Sequence, residues 1–117
     1  MHDGRDFLRN MSQFVLHGSL RAQDSKALEL AQILIQASEL VGALKACRLY
    51  AVSQPATGGN EVWVTEIWDS KADHQASLQM PEVRALISQA MPLLDGAPQG
   101  GQVLDLLGGY IPASSKS

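Results

Sequence analysis

Between Glu61 and Gln75 the chain reads EVWVTEIWDSKADHQ, which gathers carboxylates, two tryptophans and a histidine around one strand-to-helix corner. If the strand alternates, Glu66 shares its side with Val62, Val64 and Trp68. A carboxylate there is costly to bury alone. It is either half of an ion pair, with Arg21, Arg48 or Arg84 as partner, or a proton acceptor in a pocket. Trp68 and Trp63 can wall such a pocket, His17 and His74 are alternative proton acceptors, and Arg48, Tyr50 and Asn60 can hydrogen-bond developing charge. Each has a plainer role as well. Trp68 fills a sheet–helix junction and Trp63, on the opposite parity, anchors an interface. His17 packs in mid-strand, and His74 is solvated on its helix.

Other chemistries find no support. Cys47, in ACRLY on a strand away from any helix start, reads as an inert core thiol rather than a nucleophile. Ser12, Ser19 and Ser53 stand in no G-x-S-x-G turn, and TGGN lacks the lysine and helix of a phosphate loop. The three histidines are scattered, with no i, i+4 pair and no carboxylate motif beside them, so no metal site is expected.

Positioning these groups requires a particular order of elements. FVLHGSLR, Phe14 to Arg21, alternates as a strand. Asp24 and Ser25 offer cap oxygens to a helix whose Ala27, Leu30, Ala31, Leu34, Ala37, Leu40 and Val41 recur at helical spacing up to Gly42. Leu44 to Ser53 is a second strand, QPATGGN a turn, and VWVTEIW a third strand making a hairpin with the second. Ser70, with Asp73 after it, caps a helix that Met80-Pro81 interrupts. Val83, Leu86, Ile87, Ala90, Met91 and Leu94 form the apolar stripe of the next helical segment, and Val103 to Leu107 is the last strand. The order βαββαβ is the split β-α-β, ferredoxin-like arrangement, an α+β fold with an antiparallel sheet. One helical layer covers one sheet face. The other carries bulky residues too, so a homodimer stacked through the open sheet face is expected.

At 117 residues the chain suits one domain, placed at 11–110 between a loose leader at 1–10 and a polar tail at 111–117. Nine Lys and Arg against twelve Asp and Glu, with no basic cluster, give no footprint for nucleic acid. No apolar run reaches the length of a membrane span, the N-terminus does not read as a signal peptide, and a single cysteine suits a cytoplasmic location.

The stretch EVWVTEIWDSKADHQASLQMPEVRALI resembles the antibiotic biosynthesis monooxygenase family, small dimeric α+β barrel proteins that include cofactor-free quinol oxygenases. The likeness rests on Glu66 two residues before Trp68, on Ser70, on the break at Met80-Pro81, and on Gly42 before the second strand. It implies a cofactor-independent monooxygenase using O2 on a small phenolic or quinol substrate, with Glu66, His17 or His74 as base. Many members carry a histidine nine residues after the strand-end tryptophan; here Ser77 stands there and His74 lies three residues earlier. A different class of function, a non-catalytic ligand-binding or structural homodimer, fits the same elements. An isomerase or a haem-degrading relative is a third reading, with haem disfavoured because no axial histidine is evident.

Overall fold

The computed structural model describes residues 13–98 and 100–112, so the leader expected at 1–10 and residues 113–117 of the expected tail lie outside the described residues. In chain order come β1 (Gln13–Arg21), α1 (Ala27–Val41), β2 (Cys47–Ser53), β3 (Glu61–Trp68), α2 (Lys71–Ser77), α3 (Pro81–Ala90), a 3-10 turn (Met91–Leu93) and β4 (Gln102–Leu106). The strands form one sheet in the order β2-β3-β1-β4, every neighbouring pair antiparallel. This is the ferredoxin-like α+β arrangement. Its register decides which groups meet: Phe14 lies opposite Trp68, Leu16 opposite Glu66, and Tyr50 opposite Glu66 from the other side.

The strand alternation sends Phe14, Leu20, Tyr50, Val52, Val62, Glu66 and Trp68 toward the helices. There α1 packs on β2 and α3, and the apolar stripes of both helices meet the sheet. Two buried clusters result. One joins Leu30, Ile33 and Ala37 of α1 to Val62, Leu86 and Ala90; the other joins Val41, Cys47, Trp68 and Val83. Trp68, Leu30 and Val62 are the largest side chains wholly enclosed. Cys47 is buried.

The opposite face carries Val15, His17, Trp63, Thr65, Leu49, Ile67 and Leu104 on its strands. Val15 and Ile67 are buried, whereas Leu104 is 45% exposed. The described residues of the buried clusters that join helices to sheet include none of these side chains. Among the described residues, no helix is long and apolar enough to cross a membrane.

Three local details set the site's surroundings. The entry to α1 departs from the expected capping: Lys26 is the N-cap and makes no side-chain cap bond. A backbone turn, Lys26 N–H to the Gln23 carbonyl at 2.9 Å, brings the chain round instead, with Ser25 at φ 65°. That turn leaves the Asp24 carboxylate to accept from Asn60 Nδ2 at 2.8 Å. The start of α2 follows the sequence pattern, as Asp73 N–H donates to Ser70 Oγ at 3.1 Å and Ser70 Oγ donates to Asp73 Oδ2 at 2.8 Å. Met80 is extended and Pro81 opens α3, so α2 ends early and its last turn stays above the third strand.

β4 reaches β1 because two glycines meet: a Cβ on Gly18 would stand 2.6 Å from Gly101 Cα. The second strand begins at Cys47 rather than Leu44, since Leu44 to Ala46 turn, with Cys47 N–H donating to the Leu44 carbonyl at 3.1 Å. Its register slips at Arg48. This bulge swings Arg48 outward.

Candidate functional site

The third strand delivers Glu66 to the helix-facing side, only 8% exposed. Two residues along the same face, the wholly buried Trp68 donates Nε1–H to Glu66 Oε1 at 3.0 Å. Burial raises the Glu66 carboxyl above its ordinary value, and the Trp68 hydrogen bond opposes that shift by favouring the anion. The ion pair weighed from the sequence is not formed with Arg21 or Arg48. Arg21 binds Asp95 at 3.2 Å and Arg48 binds Asp69 at 2.7 Å, both on the outside.

The first turn of α2 sets His74 over this carboxylate. Its Nε2 lies 3.7 Å from Glu66 Oε1, and its side chain is only 13% exposed. His74 therefore faces inward rather than into solvent. Phe14 stacks on its ring with centroids 5.3 Å apart, and Trp68 meets it edge-on at 5.8 Å. Burial lowers the His74 pKa, so the imidazole is held toward its neutral form. Ser77, one turn on, is buried and donates Oγ–H to the His74 carbonyl at 2.6 Å, which pins the turn that carries the histidine. Tyr50, across the ladder from Glu66, is raised well above the usual phenol range, first by burial and then by the Glu66 charge.

Space adjoins these groups. A cavity of about 170 Å³ lies between α1, α3 and the sheet, with Glu66, Tyr50 and Ser77 in an otherwise apolar wall. A second, of about 340 Å³, runs along β1 toward Gly100 and Gly101 and has Glu66, His74 and Tyr50 in its wall. The two share Leu20, Leu34, Tyr50, Glu66, Leu78 and Pro98. A buried carboxylate beside a neutral imidazole in an apolar space can take a proton from a hydroxyl and exclude bulk water while doing so.

Of the residues singled out in the sequence, Glu66, Trp68, His74, Tyr50 and Ser77 come together. The others do not join them. His17 lies on the opposite face, where Nδ1 is 2.9 Å from Thr65 Oγ1 and Trp63 sits against the ring at 5.2 Å. Strand parity causes this split, because His17 pairs with Thr65 and not with Glu66. Asn60 ties the β3 approach to Asp24, and Arg48 is held outward by its bulge.

Phe14, Leu78 and Pro98 were not singled out from the sequence. Phe14 carried a usable signal, since its parity matches Leu16 and Leu20 and antiparallel pairing brings it to Trp68. Leu78 and Pro98 carried none, because loop and helix-end placement brings them to the cavity.

Residues 13–89 match the family model described as antibiotic biosynthesis monooxygenase. The chain belongs to that family. Among solved structures of similar shape, a candidate antibiotic biosynthesis monooxygenase from Chloroflexus aurantiacus is 26% identical, with TM-score 0.66 over 91% of this chain and 98% of that one. A protein of unknown function from Nitrosomonas europaea is 25% identical, with TM-score 0.74 over 90% and 99%. A candidate antibiotic biosynthesis monooxygenase from Caulobacter crescentus, at 17% identity and TM-score 0.70 over 92% and 100%, shares the fold. No curated protein sequence gives a significant match. The Glu66–Trp68 pair of this family member lies inside the matched segment, as do His74 and Ser77.

Proposed function

We propose that the protein is a cofactor-independent monooxygenase that oxidises a small phenolic or quinol substrate with O2. The observation that carries this reading is Glu66: a buried carboxylate bonded to an indole rather than to Arg21 or Arg48, in the wall of a cavity. Its raised pKa makes it a stronger base than an ordinary carboxylate. Family membership supports the reaction type.

In this reaction the substrate hydroxyl gives its proton to Glu66, and neutral His74 beside Oε1 steadies the carboxyl group that forms. The phenolate passes one electron to O2, and the radical pair joins at a ring C–H carbon as a peroxide. The proton held at Glu66 returns to that peroxide. Loss of water turns the C–H carbon into a carbonyl, so one oxygen atom enters the ring and the other leaves as water. The substrate supplies all the electrons, and no external reductant is needed.

The working form in this proposal is a cytoplasmic homodimer. Members of the family are generally dimeric. A second copy stacked on the open face would cover Trp63, Leu104 and His17. His17 then belongs to the contact between copies and not to proton transfer.

Oxygen uptake by metal-free protein with a panel of quinols and polyphenols tests the proposal. Uptake above the non-enzymatic rate, lost in folded Glu66→Gln and kept in His17→Ala, is expected. No enhancement with any substrate would leave the non-catalytic binding reading in its place.

A further inference from the structure

The two cavities meet at Glu66 and Tyr50, and their remaining walls differ in character. The smaller, between α1 and α3, is lined beyond that waist by side chains such as Ile33, Ala37, Val83, Leu86 and Ala90. The larger adds His74, Ser19 and the backbone of Gly100 and Gly101. Among the described residues, neither has a lysine or arginine in its wall.

We infer that the site takes a neutral, amphipathic ligand, an aromatic head bearing a hydroxyl at Glu66 and His74 with an alkyl tail in the cavity between α1 and α3. The tail is favoured because beyond the waist that cavity's wall is apolar apart from Ser77, whose hydroxyl already donates to the His74 carbonyl, and each buried methylene gains transfer free energy there. An anionic head is disfavoured because it would meet the Glu66 carboxylate, and the described residues of either wall offer no lysine or arginine to compensate. A hydroxyl suits both carboxyl and imidazole. This deepens the oxygenase reading by naming the shape of its substrate, and it rests on the same cavity, yet binding alone can test it.

The test is calorimetric titration of 3-alkylphenols, from phenol through the ethyl, butyl and hexyl compounds, with 3-alkylbenzoates of the same chain lengths in parallel. Affinity for the phenols is expected to rise about three- to fourfold per methylene over the first few carbons and then level off. The benzoates should bind at least tenfold more weakly. Ala90→Leu places a larger side chain in the tail cavity and should abolish the chain-length gain while phenol itself still binds. Should that variant fail to fold, Ile87→Ala, at a position 41% exposed in the same wall, should move the levelling-off to a longer chain.

A flat series in the wild-type protein, no binding by any phenol, benzoates as tight as phenols, or a chain-length gain untouched in both variants would each overturn the inference. Chain-dependent binding without oxygen uptake by the same compounds would leave it standing and remove the oxygenase reading alone.

Discussion

Replacing Trp68 with Phe isolates the interaction that holds the candidate base. The indole is wholly buried and its Nε1–H donates to Glu66 Oε1 at 3.0 Å, so the variant keeps an aromatic ring and loses the donor. A hydrogen bond to an ionised group contributes about 1.5–3 kcal/mol, and the smaller ring leaves space costing about 1 kcal/mol more. The expected loss is therefore about 2.5–4 kcal/mol. For a domain of roughly 100 residues this lowers the melting temperature on the order of 10–30 °C.

Thermal unfolding followed by circular dichroism measures it, and pH supplies the internal control. Once Glu66 is protonated the same bond is neutral and contributes only about 0.5–1.5 kcal/mol, so the cost of Trp68→Phe should shrink by roughly 1–1.5 kcal/mol in acid. The acid cost should also appear at neutral pH in a Glu66→Gln background, where the acceptor is uncharged. A cost that is the same at both pH values and unaffected by Glu66→Gln would refute the account, since Trp68 would then act by bulk alone.

Glu66→Gln by itself should change stability in a pH-dependent way. The folded-state pKa of Glu66 is raised above 4.5, so its contribution is fully present below that value and lost as pH rises through the raised one. The melting temperature of the variant relative to wild type should therefore climb with pH above 4.5; a relative fall would show that burial does not disfavour the anion. Gly18→Ala would set a Cβ 2.6 Å from Gly101 Cα, with backbone on both sides, and should cost about 1–3 kcal/mol. Hydrogen exchange should show the loosening in β4, and unchanged protection there would count against the close approach. Ser70→Ala should cost about 1 kcal/mol through the lost cap of α2, and Ser70→Asp should recover most of it in chemical denaturation.

Much of the fold was legible in the chain itself. Alternation marked β1 and β3, a break at Met80-Pro81 marked the boundary between α2 and α3, and Ser70 with Asp73 marked the start of α2. These signals are local, so a chain read residue by residue carries them. The capping of α1 misled because Asp24 and Ser25 are good cap residues by type. Whether they cap depends on the turn closed by Lys26 N–H on the Gln23 carbonyl and on Asn60, a partner distant in sequence.

The site divides along the same line. The sequence alone determined that Glu66 and Trp68 share a face, because strand parity is a property of one segment. Which other groups reach that face was decided by tertiary structure. Antiparallel register put Leu16 and Tyr50 beside Glu66 and sent His17 to the far side with Thr65. The path of α2 across the sheet turned His74 inward onto Phe14 and Trp68, and a bulge turned Arg48 outward onto Asp69. Pairing register and helix docking are set by the packing of distant segments against one another, and no single stretch of residues contains them.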